Sequence, residues 1–374
     1  MTVLVDENIL NGSPSHLIPD KVINGEIKEL VQNLEATPKF DPHATFDPEK
    51  HILFKDEDFG KFKILKLSEL GINKTHVPTI SDTGVTNPFP LFTKEACNIM
   101  KWEAFQVESL KKYGRLPKLA KNSTNLDFQI CGYIKQAPFT YAAWTHPRTQ
   151  EIIDKIAGVK LKIMFDYEIA HINASLINKD YPVGEKLGKE GNLEDSVYDW
   201  HYDSNSFVIV LMLSTNDEMI GGKTGLKDGD EKIVTVDDPK IGYATILQGR
   251  VIKHIATKPI TNHERISSVV GYIPDDIEVP DTTVLTSFKP SVLPRSIHDE
   301  YYPEWCEYRF KRIEAMLKNK REQLFKAEGH FDQEGFIDFC KGVEDYLQKT
   351  WNEFEVCGEK EHPPKIYSVP YKDL

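Results

Sequence analysis

The chain reads as a mainly β protein with flanking α-helices, its centre a jelly roll or barrel. Two observations predict this. From Leu161 the side-chain pattern runs with a period of two, and short strand-like stretches then recur between Gly, Pro and Asp turns as far as Ile273. Helical spacing is confined to the segments before and after that block, as expected of helices that buttress a sheet.

Residues 1–90 carry Pro, Asp, Lys and short apolar clusters such as Phe62 to Leu67, and are expected to form an N-terminal extension packed on the core. Residues 91–290 are the expected core domain with its buttressing helices, and 291–374 a C-terminal helical segment, together one compact unit. Thr93 suits the N-cap of a helix from Lys94 to about Tyr113. Cys97, Met100, Ala104, Val107 and Leu110 recur there at spacings of three and four, and Gly114 stands where the helix should stop. A second helix is predicted from Pro147 through Ile152, Ile153 and Ile156 to Gly158.

One long strand is expected from Leu161 to Ser175, with His171, Asn173 and Ser175 on one face and Asp166, Glu168 and Ala170 on the other. A polar, glycine-rich loop, 182–192, leads to an apolar strand at Phe207 to Leu213. Further strands are predicted at Lys232–Val236, Ala244–Leu247, Val251–Ile255 and Arg265–Ile273. Beyond Pro290 two amphipathic helices are expected, one marked by Trp305, Phe310, Ile313, Met316, Leu317 and Leu324, the other by Phe336, Phe339, Val343, Tyr346, Leu347 and Phe354.

The 374 residues carry a net charge of −12 and no Lys/Arg-rich stripe, which argues against a nucleic-acid partner. Five cysteines, an odd number without a C-x-x-C, fit reduced thiols in a cytosolic protein. Met1 to Leu10 includes Asp6 and Glu7 and has no basic start of the kind a signal peptide needs. No apolar run approaches the ~20 residues that span a bilayer. A cytoplasmic protein without membrane contact is expected, as monomer or homodimer.

The chemistry centres on Tyr198-Asp199-Trp200-His201-Tyr202-Asp203. A histidine and a carboxylate two residues apart share one face of a strand and can hold adjacent positions on one metal ion. His254 lies in a later strand, with His263 as the rival second histidine. Two histidines and one carboxylate form the facial triad of non-haem Fe(II) oxygenases. Arg265 and Ser267, again two apart, can grip a carboxylate through charge-assisted hydrogen bonds. If Val251–Ile255 and Arg265–Ile273 form a hairpin, Arg265 and Ser267 lie beside His254. Phe128, Gln129, Tyr133, Trp200 and Tyr202 are candidates for a substrate pocket or for core, with Tyr202 turned away from the metal face.

The pattern His201-x-Asp203, His254, Arg265-x-Ser267 resembles the Fe(II)/2-oxoglutarate-dependent oxygenases over about residues 125–275. That resemblance implies a double-stranded β-helix (jelly roll) core with Fe(II) on His201, Asp203 and His254. It also implies 2-oxoglutarate as cosubstrate, chelating the iron and reaching Arg265 and Ser267 with its far carboxylate, and O2 as oxidant. Asn173 is the further candidate contact to the cosubstrate. The implied reaction couples decarboxylation of 2-oxoglutarate to hydroxylation, desaturation or cyclisation of a small-molecule metabolite, amino-acid-derived or secondary. Two other readings fit the residues: an isopenicillin N synthase-like Fe(II) oxidase that does not use 2-oxoglutarate, and a non-catalytic cupin-like binding protein.

Overall fold

The computed structural model describes residues 4–5, 16–116, 126–176, 200–215, 222–236, 239–256, 264–293, 296–324 and 330–357. Tyr198, Asp199, the 182–192 loop and His263 lie outside the described residues.

The main sheet is antiparallel. Its principal strands are β1 (Ile64–Lys66), β2 (Thr83–Thr86), β3 (Gly114–Arg115), β4 (Leu126–Ile130), β5 (His171–Leu176), β6 (Phe207–Met212), β9 (Tyr243–Leu247) and β11 (Arg265–Pro274), in spatial order β1-β2-β9-β6-β11-β5-β4-β3. A smaller sheet joins β7 (Thr224–Lys227), β8 (Ile233–Val236) and β10 (His254–Ala256) in the order β8-β7-β10, and His201 bridges to His254 on its free side. From β5 onward the chain passes back and forth between the sheets: β5, His201, β6, β7 with β8, β9, β10, β11. That alternation is a double-stranded β-helix. The predicted fold class holds, although helical residues outnumber strand residues among those described.

Period-two patterning explains how the sheets stack. Ile172, Ala174, Leu176, Phe207, Ile209, Leu211, Ala244, Ile246, Ile266, Val270 and Tyr272 point outward into one large core. There they meet α1 (Lys94–Ala104), α2 (Val107–Tyr113), α3 (Pro138–Thr145) and α4 (Pro147–Ala157). Residues of opposite parity, Val208, Leu247 and Val269, meet Leu226, Val234 and Val236 of the smaller sheet inside the barrel. Each fully buried Leu or Ile contributes about 1.5–3 kcal/mol, so a register slip of one residue would be prohibitive.

Several expectations are corrected here. The helix after Thr93 is capped as predicted, with Thr93 Oγ1 accepting from Ala96 N–H at 3.3 Å, but it breaks at Phe105–Gln106 into α1 and α2. Gly114 has φ −75°, not the left-handed cap conformation. It is required because a Cβ would lie 2.4 Å from the Leu110 carbonyl oxygen. Gly158, by contrast, ends α4 with φ 69°. The long Leu161–Ser175 strand is interrupted: Leu161–Ile163 pairs with β11, a 3₁₀ turn occupies Asp166–Glu168, and Ala170 takes a left-handed φ of 59° before β5 begins.

The hairpin on which the nearness of His254 and Arg265 was conditional does not form. β10 belongs to the small sheet and β11 to the large one, where β11 lies between β5 and β6. In the C-terminal pair, α5 (His298–Leu324) and α6 (Gln333–Trp351), the apolar reading is partly overturned. Phe310 and Leu317 are exposed, and the buried face of α5 carries Tyr301, Trp305, Tyr308, Arg309 and Arg312. The buried Asp281 carboxylate accepts from Tyr308 and Tyr346 at 2.8 and 2.6 Å, which ties the two helices to the barrel.

Candidate metal centre

His201 and His254 face each other across a two-residue antiparallel bridge, with reciprocal backbone hydrogen bonds of 3.0 and 2.9 Å. That bridge sets their rings 4.5 Å apart. Asp203, two residues on, returns to the same side. Its Oδ1 lies 3.6 Å from His201 Nε2 and its Oδ2 3.4 Å from His254 Nε2. One ligand atom from each residue falls within 4.8 Å of the other two.

The surroundings aim these atoms. His254 Nδ1 is 3.0 Å from the Ile252 carbonyl oxygen, which makes Nδ1 the N–H donor and turns Nε2 toward Asp203. Asp203 is held by its own backbone N–H to Gly249 O at 2.9 Å. A Cβ on Gly249 would fall 1.9 Å from Asp203 Oδ2, so only glycine fits beneath the carboxylate. Asp203 Oδ2 is buried with no hydrogen-bond partner, as suits an atom meant for a cation. Burial alone would push this carboxyl up, but His254 and His201 outweigh it and hold the group far below the usual carboxylate range. A preformed anion beside two imidazole Nε2 atoms fits a divalent metal of the iron type, whose binding would displace any proton those atoms carry.

Arg265 and Ser267 begin β11 on the barrel-facing side. The guanidinium Nη1 donates to Ser267 Oγ at 3.4 Å and Nε donates to the Gly222 carbonyl at 3.3 Å. Asn173 lies directly across from Ser267 on β5, and Ser175 across from Arg265. A polar rung thus runs over four strands: Ser267, Asn173, Gln129 and Arg115 are successive cross-strand partners. Gln129 Nε2 donates to Asn173 Oδ1 at 2.9 Å, and Arg115 Nε donates to Gln129 Oε1 at 3.1 Å.

Not every sequence candidate joins the site. Phe128 and Tyr133 belong to the outer core, Tyr202 meets His76 in a tilted pair at 4.3 Å between ring centroids, and Trp200 lies under Lys227. Gly249 and Arg115 were not foreseen. Gly249 sits in an ordinary Gln-Gly-Arg turn, and Arg115 precedes the strands in a segment read as the end of a helix.

No protein-family model matches the chain, and neither does any curated protein. Solved structures do match in part. An oxidoreductase of the 2OG-Fe(II) oxygenase family from Burkholderia pseudomallei is 13% identical, with a TM-score of 0.29 over 41% of this chain and 72% of that one. A prolyl-4-hydroxylase from Pseudomonas putida is 12% identical, with a TM-score of 0.30 over 52% and 94%. The epimerase SnoN, solved with Fe3+, α-ketoglutarate and nogalamycin RO, is 11% identical, with a TM-score of 0.26 over 41% and 69%. Overlaps this small leave the weight on the strand order and the side-chain geometry. Among the described residues no helix is long and apolar enough to cross a membrane.

Proposed function

We propose that the chain is a non-haem Fe(II)/2-oxoglutarate-dependent dioxygenase that oxidises a small-molecule metabolite by hydroxylation, desaturation or cyclisation. The reading rests on one observation above the others: Asp203 lies 3.4–3.6 Å from two imidazole nitrogens at the barrel mouth, with Arg265 and Ser267 paired on the same barrel's inner face. In this reading His201, Asp203 and His254 hold the iron. Arg265 and Ser267 take the distal carboxylate of 2-oxoglutarate, and Asn173, opposite Ser267, orients it. Bound iron with 2-oxoglutarate and O2 supplies the oxidation of a C–H bond.

The chain's own contribution is positional. The His201–His254 bridge fixes two ligands on one backbone unit, and the Ile252 carbonyl fixes the tautomer of one of them. Apolar side chains between the sheets keep water from the interior. Residues 91–290 then act as one catalytic unit, with 1–90 packed on it and 291–374 as a helical cap, in a cytoplasmic enzyme.

The test is an anaerobic titration of Fe(II)-loaded protein with 2-oxoglutarate, followed through the weak visible charge-transfer band of a chelated keto acid. The band is expected in the wild type and absent in His201→Ala. Iron binding without the band would favour the oxidase that does without 2-oxoglutarate, and absence of iron binding would sink the enzyme reading.

A further inference from the structure

A second cluster of ligand-type side chains lies away from the mouth, beneath α5. Cys131 follows β4, Glu168 closes the 3₁₀ turn, and His171 opens β5. One ligand atom from each lies within 4.8 Å of the other two. Cys131 and Glu168 are 1% and 4% exposed, amid Phe165, Tyr167, Tyr301 and Trp305. The Cys131 thiol reaches Glu168 Oε1 at 3.6 Å and the Tyr167 carbonyl oxygen at 3.3 Å. His171 Nε2 is buried and has no hydrogen-bond partner among the described residues.

We infer that Cys131, Glu168 and His171 form a second metal site that takes Zn²⁺ or a cation of similar softness through these three side chains. A tetrahedral zinc with sulfur at about 2.3 Å and oxygen or nitrogen at about 2.0–2.2 Å separates its ligands by roughly 3.5 Å. The 3.6 Å between Cys131 sulfur and Glu168 oxygen already meets that spacing. Thiolate, carboxylate and imidazole are the three donor types zinc accepts. On binding, the thiol proton passes to solvent and both anions face the cation, with no change of oxidation state.

Bound zinc would pair the Cys131 thiolate and the buried Glu168 carboxylate, both of which also feel the buried Arg115 guanidinium. The local backbone is built for the cluster's density: a Cβ on Gly132, next to Cys131, would lie 2.6 Å from the Tyr167 ring. Tyr167 N–H in turn donates to Glu304 of α5 at 2.8 Å. A metal here would rivet the turn, β4 and β5 together under the C-terminal helix, independently of the iron assignment.

The probe is Co²⁺, added to full-length protein stripped of metal by a chelator. His201→Ala serves as the background, so that the mouth site is silenced. One equivalent should produce the near-ultraviolet thiolate-to-cobalt band, which nitrogen and oxygen ligands cannot give. Cys131→Ser should abolish the band. Glu168→Gln, which keeps the side-chain shape, should weaken Zn²⁺ binding at least ~10-fold, since even an outer partner of a metal ligand is worth 10–100-fold. Added Zn²⁺ should raise the melting temperature of the His201→Ala protein and leave that of the doubly substituted protein unchanged. Folded His201→Ala protein with no thiolate band, or a band that survives Cys131→Ser, would overturn the inference.

Discussion

Two triads of ligand-type side chains sit on one barrel with different cover. At the mouth, the His201 and Asp203 side chains keep 35% and 21% of their surface exposed, and His254 is buried. Beneath α5, Cys131 and Glu168 are sealed among aromatic rings, and His171 is half-buried. Structural metal sites are closed, whereas catalytic ones keep a position that a substrate can reach. On the two proposed assignments, cover at two of the three ligands, more than the choice of ligands, separates the site for chemistry from the second metal site.

The sharpest way to break this contrast is at the mouth. Asp203→Ala should weaken Fe(II) binding at least ~100-fold, because a direct ligand is worth more than the outer partners whose loss costs 10–100-fold. Gly249→Ala should approach the same loss by a different route, since its new methyl would occupy the space of Asp203 Oδ2. Anaerobic Fe(II) titration, with circular dichroism as the control for folding, reads both. A Gly249→Ala protein that binds iron as the wild type does would show that the carboxylate is not confined from below.

Arg265→Ala comes next in size. Removing a buried charge-assisted contact costs about 2–4 kcal/mol, so the 2-oxoglutarate Kd should rise roughly 30- to 1,000-fold while Fe(II) affinity holds. Unchanged 2-oxoglutarate binding would dismiss Arg265 as the carboxylate receptor. A smaller effect is expected at the rung that joins the two regions. Gln129→Leu strips the partners from Arg115 Nε and Asn173 Oδ1, and should cost about 1–3 kcal/mol in a urea unfolding titration with little change in iron affinity. A neutral substitution would mean that the rung is incidental to stability.

The mouth was legible in the sequence because each pair follows a local rule. His201 with Asp203, and Arg265 with Ser267, stand two apart on extended chain, and the strand alternation orients them without tertiary knowledge. What failed was the long-range step. His254 and Arg265 flank a short connection, as hairpin partners would, yet a double-stranded β-helix sends consecutive strands to opposite sheets. The second triad was hidden for a related reason. Plain alternation puts Glu168 and His171 on opposite faces, and the 3₁₀ turn with Ala170 rotates them to the same side. Gly249 left no signal because its role depends on a side chain forty-six positions earlier in the chain.

That rotation at Ala170 also governs which sequences this corner can accept. A left-handed residue other than glycine costs about 1–2 kcal/mol, and the Ala170 carbonyl is pinned there by the Tyr133 hydroxyl at 3.0 Å. The usual ranking of residues at the mouth of a strand is therefore inverted at this position. In a saturation library, glycine should pass and asparagine should be enriched, whereas valine and isoleucine, ordinarily favoured beside a strand, should drop out. The census of survivors at position 170 then becomes a one-site gauge of the handedness on which the neighbouring histidine's direction depends.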